Sequence, residues 1–168
     1  DIPYEYRGGV KFFERAHIKD ALSFLRIAGN IQDEMAWMRA LTMQAGIGPA
    51  AAGRIFERAR SLEDAAGIAA LEIGDVLEKR AAGGWVNFLE IWRAVAASDN
   101  LPSNLVRAVC ASPYQNHLER EYPNWRERLE DLEQLATFAE QYSDVSSFLT
   151  EISLYDSFGA LRSGARAG

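Results

Sequence analysis

Apolar residues recur along most of the chain at the spacing of an α-helix, with breaks at glycine, proline and short polar segments. One stripe consists of Trp85, Phe88, Leu89, Trp92 and Val95, which follow an i, i+3, i+4, i+7, i+10 pattern. This spacing places the five side chains on one face of an amphipathic helix that packs against a core. The pattern is typical of an all-α fold.

Start and stop signals divide the chain into separate helices. Proline suits the first turn of a helix, aspartate can cap a helix start, and glycine commonly ends a helix. In chain order, these signals predict helices over residues 13–28, 33–41, 49–60, a short helix capped by residues 61–64, and then 85–95, 102–110, 113–120, 123–142 and 145–154.

The N-terminal segment reads differently. Ile2 to Arg7 alternates with aromatic residues and precedes Gly8-Gly9, which predicts a short extended piece followed by a turn. A partner strand is not predicted elsewhere. The expected fold class is therefore all-α: an irregular multi-helix domain with a short extended N-terminal segment.

Composition and charge narrow the function. The chain has 168 residues, of which 48% are apolar, enough for one domain with a proper core. A net charge of −6 argues against a surface that grips nucleic acid everywhere. The charge is uneven, however: residues 1–60 carry nine Lys/Arg and seven Asp/Glu, a net +2, and the rest carries −8. The stretch from Arg39 to Arg60 contains four arginines and only one acidic residue, Glu57, so a small positively charged region is expected.

Motifs for catalysis are missing from the sequence. No glycine precedes a lysine, so the lysine-bearing phosphate loop is absent, and His17 and His117 have no neighbours at metal-ligand spacing. Cys110 lies in an apolar run and reads as a buried, reduced thiol. The charged run from Arg126 to Glu133 reads as a solvated helix face, with Arg126 near Glu130. Neither catalysis by this chain alone nor a membrane span is predicted.

The turn Gly46-Ile47-Gly48 between two predicted helices has two interpretations. In the first, it is a helix C-cap glycine followed by a helix that begins with Pro49, without a ligand. In the second, peptide N–H groups and a helix N-terminus form an anion site. Glycines would then permit positive φ and a close phosphate, while Ile47 fills the groove between the helices. The motif alone leaves both interpretations open.

Longer motifs carry a resemblance to a known family. Residues 2–15 read IPYEYRGGVKFFER and residues 18–26 read IKDALSFLR. They closely resemble the segment of UvrD/PcrA/Rep-type superfamily 1 DNA helicases that leaves the second RecA-like domain (2A) and enters the inserted helical 2B subdomain. The Gly-Ile-Gly turn follows at the family's distance. Tyr114, RLEDLEQL at 128–135 and FLTEISL at 148–154 resemble later helices of that insertion, so the resemblance covers about residues 1–158.

The resemblance implies a function: a duplex-DNA-binding regulatory 2B subdomain of an ATP-dependent 3′–5′ DNA helicase in DNA repair or replication. Implied limits are 1–13 for the edge of 2A and the hinge, 14–158 for 2B, and 159–168 for a linker or disordered tail of an excised fragment. ATP and Mg²⁺ would belong to the parent's motor domains, with no cofactor in this chain. Expected partners are double-stranded DNA near a single-strand junction, the motor domains and repair proteins, in the cytoplasm at the nucleoid.

The resemblance and the turn together give the predicted site. A helix-hairpin-helix turn of this kind holds DNA by its phosphates. Where many relatives have T-P-[KR]-R-G-I-G, this chain lacks the basic pair before the turn. Contact would then depend on backbone N–H groups, a threonine and later arginines. The predicted DNA-binding residues are Thr42, Gly46, Ile47, Gly48, Arg54 and Arg58, and the predicted hinge residues are Gly8 and Gly9.

Two alternatives come from other classes. The −8 charge of residues 61–168 is compatible with an acidic, helical protein-docking module that does not contact DNA directly. The second alternative is a free-standing helical regulator, which would be encoded by a gene ending near Gly168.

Overall fold

A computed structural model of the chain describes the backbone of residues 9–155 and side chains from residue 11 onward. Within this range the regular structure is helical and contains no strand, which confirms the predicted all-α class. The expected extended segment at 2–7, the hinge residue Gly8 and the expected tail at 159–168 lie outside the described residues.

The described range contains helices joined by short connections, except for one longer link. The loop 71–78 joins two short 3-10 helices in the link between the fourth and fifth α-helices. Residues 145–155 are also helical. The bounds are α1 Gly9–Glu14, α2 Ala16–Gly29, α3 Glu34–Thr42, α4 Pro49–Ala59, the 3-10 helices Ala65–Ala70 and Lys79–Ala81, α5 Ala82–Ala97, α6 Pro102–Ala111, α7 Tyr114–Glu121 and α8 Trp125–Ala139.

Helix capping follows the sequence signals at one position and corrects them at another. The Asp33 carboxylate accepts a hydrogen bond from the Ala36 N–H at 3.1 Å, which confirms Asp33 as the cap of α3. Before the first 3-10 helix, Asp64 accepts from the Ala66 N–H at 3.0 Å. Ser61 instead donates its hydroxyl to a backbone carbonyl of α4. The cap is therefore the last residue of the predicted 61–64 signal.

The N-terminal helix differs from the prediction. We expected a turn at Gly8-Gly9 and one helix from Phe13, but α1 already begins at Gly9 and a break at Arg15 separates it from α2. Phe12 and Phe13 are both buried in the common core, and this packing anchors the short helix. The predicted limit after residue 13 would cut α1, and the domain division stays a prediction.

The core forms where α2 and α6 meet their neighbours. Helix α2 packs against α3, α5, α6 and α8, while α6 also packs against α5, α7 and α8. The predicted stripe on α5 is buried as expected. Its Phe88 ring lies 5.2, 5.5 and 5.8 Å from the ring centroids of Trp85, Trp37 and Phe24. This aromatic cluster joins α2 and α3 to α5, and α5 supports the candidate site described below.

The charged face of α8 is only partly the solvated surface that the sequence predicted. The Asp131 carboxylate lies 2.8 Å from Nε2 of the buried His17 and 2.9 Å from the Arg15 guanidinium. Arg128 lies 2.9 Å from His17 Nδ1. Since an arginine only donates, His17 is neutral here, with Nδ1 accepting and Nε2–H donating to Asp131. Burial lowers the pKa of His17 and favours the same neutral form.

The prediction that Cys110 is a buried thiol can be tested by its reactivity in solution. The thiol is buried, and desolvation raises its pKa to about 12. We expect the folded chain to react with a disulfide reagent at pH 8 about a hundredfold or more slowly than the denatured chain, because the thiolate is the nucleophile. Because only the unfolded thiol ionises near pH 9, this group also lowers stability above that pH. If the folded chain reacted as fast as the denatured chain, this result would contradict the buried position of Cys110.

Candidate nucleic-acid interface

The Gly46-Ile47-Gly48 turn presents its backbone at the surface and its side chain to the interior. It lies between α3 and α4, and Ile47 is only 3% exposed. Both flanking glycines are exposed. Ile47 Cγ1 lies 3.2 Å from where a Cβ on Gly84 of α5 would stand, and its predicted position in the groove between α3 and α4 remains a prediction. The result is an exposed peptide segment held in place by one apolar anchor.

Two glycines let this turn pack tightly against the start of α5. Gly46 has φ +80°, and a Cβ built there would lie 2.1 Å from the Arg80 carbonyl oxygen. A Cβ at Gly84 would lie 2.3 Å from the Ala45 carbonyl oxygen. Such distances are far below any real contact, so both positions require glycine. The turn and the Arg80–Gly84 segment therefore form one closely packed surface.

A buried amide strengthens this junction. Gln44 donates from its side-chain nitrogen to the Ala40 carbonyl at 3.1 Å, and its side-chain oxygen accepts a hydrogen bond from Asn87 on α5. Gln44 is buried. The residue that replaces part of the family's basic pair thus holds the turn to α5 instead of offering a charge to solvent.

Gly48 differs from Gly46. Its φ of −90° and ψ of −179° are extended backbone, so the predicted positive φ is correct for Gly46 and wrong for Gly48. Gly48 is the N-cap of α4, a position that adopts extended backbone angles. A Cβ there would meet nothing within 4 Å, and α4 has no side-chain cap. Pro49 has no N–H, so the first amides of α4 without an intrahelical partner are those of Ala50 and Ala51, and residues 48–50 of this helix start are exposed to solvent.

Thr42 ends α3 near the turn. Its hydroxyl is exposed and donates to the Met38 carbonyl at 2.7 Å. A hydroxyl has one proton to donate. Its predicted DNA contact would require that this hydrogen bond be exchanged for one to a phosphate.

Arg54 and Arg58 lie on α4, but their guanidinium groups hold the loop between the two 3-10 helices. Arg54 Nε donates to the Val76 carbonyl at 3.1 Å. Arg58 donates to the Glu72 carbonyl at 2.9 Å and to both Asp75 carboxylate oxygens at 2.8 and 3.1 Å. The hydrogen bonds from Arg58 lower the pKa of Asp75. The predicted DNA contacts of the two arginines remain predictions.

Sequence reasoning did not single out Lys79 and Arg80. Both side chains are exposed, and the Arg80 backbone directly contacts Gly46. A signal was present: a basic pair directly before Ala81-Ala82-Gly83-Gly84, small residues that open a strongly apolar helix. Their proximity to the turn depends on a tertiary contact between segments more than thirty residues apart.

Neither a metal-binding cluster nor a membrane-spanning helix is found in the described part of the chain. Residues 9–155 contain no group of three or more His, Cys, Asp or Glu side chains that could hold a metal ion. In the same range, no helix has the length and apolar character needed to cross a bilayer.

These features define an all-α, multi-helix domain with an exposed glycine turn between α3 and α4. Comparison with known proteins gives the family. The family model of the UvrD-like helicase C-terminal domain matches residues 1–156. The chain belongs to this family.

Individual relatives agree with the family. The chain is 31% identical over 172 residues to DNA helicase II of Escherichia coli strain K12. It is 29% identical over 171 residues to the ATP-dependent DNA helicase PcrA of Staphylococcus aureus strain Mu50. These alignments cover 97% and 92% of this chain but only 24% and 23% of the two helicases. The chain thus spans about a quarter of the length of these relatives.

Proposed function

We propose that this chain is the duplex-DNA-binding 2B subdomain of an ATP-dependent DNA helicase that moves 3′ to 5′ in repair or replication. Helices α3 and α4 would seat the DNA backbone at the Gly46–Gly48 turn, close to a single-strand junction. This binding would regulate unwinding by the motor domains.

One observation carries the proposal. The turn exposes a helix start that has no side-chain cap and no Cβ at Gly48, next to the exposed Lys79 and Arg80. Helix N-termini attract anions because their first N–H groups are unpaired and the helix dipole is positive there. Membership in a DNA helicase family supports a DNA phosphate as the anion.

The motor chemistry belongs to other parts of the parent in this proposal. The sequence has no Gly-Lys pair, and residues 9–155 have no metal-ligand cluster. ATP and Mg²⁺ would act in the motor domains. Gly8 and Gly9 remain the proposed hinge. Of these, Gly9 is the first residue of α1.

The test replaces Gly48 with aspartate. Aspartate is a favoured N-cap residue and the site has space for it, so the fold should be kept or slightly stabilised. Its carboxylate would occupy the position proposed for a DNA phosphate and would repel that phosphate. We expect the 168-residue chain to bind a labelled duplex with a 3′ single-stranded tail at low salt, and Gly48→Asp to weaken binding by about tenfold or more, equivalent to about 1.4 kcal/mol.

Gly48→Asn is the matched control, because it has nearly the same shape and capping ability without the charge. It should retain much more affinity than Gly48→Asp, and both variants should melt near the unmodified chain. Neutralising two or three phosphates would give a slope of log K against log salt near −2 to −3. Equal affinity of the two variants would remove the turn from the binding site, and salt-independent capture of a protein instead of DNA would favour the docking alternative.

A further inference from the structure

We infer that Lys79 and Arg80 are the main phosphate-binding cations of this interface, and that Arg54 and Arg58 act indirectly by holding the loop that leads to them. The inference rests on the proposed DNA-binding function. Lys79 and Arg80, which lie more than thirty residues after the turn, would take the role of the basic pair that is missing directly before it.

Lys79 and Arg80 lie beside the turn. The Arg80 carbonyl oxygen is the atom that a Cβ on Gly46 would strike, and the Ala81 Cα lies 3.2 Å from the same point. The Lys79–Ala81 3-10 helix therefore lies directly against the turn. Ala82 and Gly83, which follow it, are exposed as well. A strand of DNA seated on the turn would lie within reach of long basic side chains from this segment.

The charges of Lys79 and Arg80 are more available than those of Arg54 and Arg58. Arg58 is bound to a carboxylate and a carbonyl, and Arg54 to a carbonyl. Lys79 makes no ion pair within 4.0 Å among the described residues, and Arg80 pairs only with Glu78 at 3.2 Å. The Arg80 side chain is 78% exposed. An exposed pair of this kind contributes little free energy, so a phosphate can replace Glu78.

The junction between the turn and α5 is held by close packing and a side-chain hydrogen bond. Gln44 bonds to Asn87, and Gly84 lies against Ala45, so the turn and the start of α5 have a fixed relative position. Arg54 and Arg58 hold the preceding loop by hydrogen bonds to Val76 and Asp75. Cations that are held in place lose less entropy on binding than cations on a free loop.

The experiment removes the two charges and measures salt dependence. Lys79→Gln/Arg80→Gln in the 168-residue chain should leave the melting temperature unchanged and reduce the slope of log K against log salt by about two, because each neutralised phosphate contributes about 0.9. The matched control is Lys19→Gln/Arg26→Gln, which removes the same charges from α2, where both residues line a different surface groove. We expect the control to change the slope by less than about 0.5.

Arg58→Gln separates the two roles. We expect it to leave the slope within about 0.5 of the unmodified value, because its guanidinium holds Asp75 and not a phosphate. The inference is overturned if Lys79→Gln/Arg80→Gln leaves the slope unchanged while Gly48→Asp still weakens binding about tenfold or more, or if Arg58→Gln alone lowers the slope by about one. If Gly48→Asp and Gly48→Asn bind equally, it is the proposed function that fails.

Discussion

Asp20→Ala is expected to lower the free energy of unfolding by about 2 to 4 kcal/mol, because it breaks a half-buried ion pair and leaves a buried hydroxyl without its acceptor. Asp20 accepts hydrogen bonds from Arg39 Nε and the Tyr114 hydroxyl, each at 2.8 Å. The Asp20 side chain is 8% exposed and that of Arg39 is 38% exposed. This carboxylate joins α2, α3 and α7, so its loss affects three helices at once.

The tyrosine partner makes the prediction sharper. Tyr114 is fully buried, and burial together with the Asp20 carboxylate raises the pKa of its phenol, so the hydroxyl stays protonated and keeps donating. Tyr114→Phe should cost about 1.5 to 3 kcal/mol, less than Asp20→Ala, because it removes one hydrogen bond to a charged carboxylate and retains the ring. Denaturant titration of the two single variants and the double variant gives the coupling energy. Additive losses would contradict the direct interaction.

An exposed ion pair provides the control for Asp20. The Arg58–Asp75 pair has a similar hydrogen-bond distance and a similarly exposed arginine, but its carboxylate is 69% exposed where that of Asp20 is 8% exposed. We expect Asp75→Asn to leave the unfolding transition within experimental error, since exposed pairs contribute little to stability. A large loss at Asp75 together with a small loss at Asp20 would show that burial does not decide the effect.

The helices were predictable because their signals are local. Asp33 caps α3 as its position before an apolar-periodic segment indicated, and the Trp85–Val95 stripe is buried as its spacing indicated. Helical periodicity and capping need only residues within a few turns of one another. The short α1 was missed because a buried Phe12-Phe13 pair, and not helix propensity, fixes it.

Contacts between distant segments were not predictable. Asp20 and Tyr114 are 94 residues apart, and no local pattern indicates that they meet. The sequence likewise placed Arg54 and Arg58 on the correct helix but gave no sign that a later loop would engage their charges. The Gly-Ile-Gly motif identified the turn, whereas the difference between its two glycines depends on what packs against each.

Gly46→Ala is the second large effect, and we expect it to lower the free energy of unfolding by about 2 to 5 kcal/mol. The positive φ costs an alanine roughly 1 to 2 kcal/mol, and forcing a methyl group into an occupied position costs about 1 to 3 kcal/mol more. The obstructing atoms are the Arg80 carbonyl group and the Ala81 Cα, which are backbone and cannot rotate away. Chemical denaturation with circular dichroism measures the loss.

Gly83 and Gly84 provide a matched pair for the same junction. A Cβ on Gly83 meets nothing within 4 Å, so Gly83→Ala should stabilise α5 by up to about 1 kcal/mol through helix propensity. A Cβ on Gly84 would strike the Ala45 carbonyl, so Gly84→Ala should destabilise. Equal effects at the two positions would contradict close packing of the turn on α5.

Gly46 and Gly48 differ in what their variants can show about DNA binding. Because Gly46 variants disturb the fold itself, a loss of DNA binding in them does not identify a DNA contact. Gly48 is open to solvent, so its variants separate an effect on binding from an effect on stability.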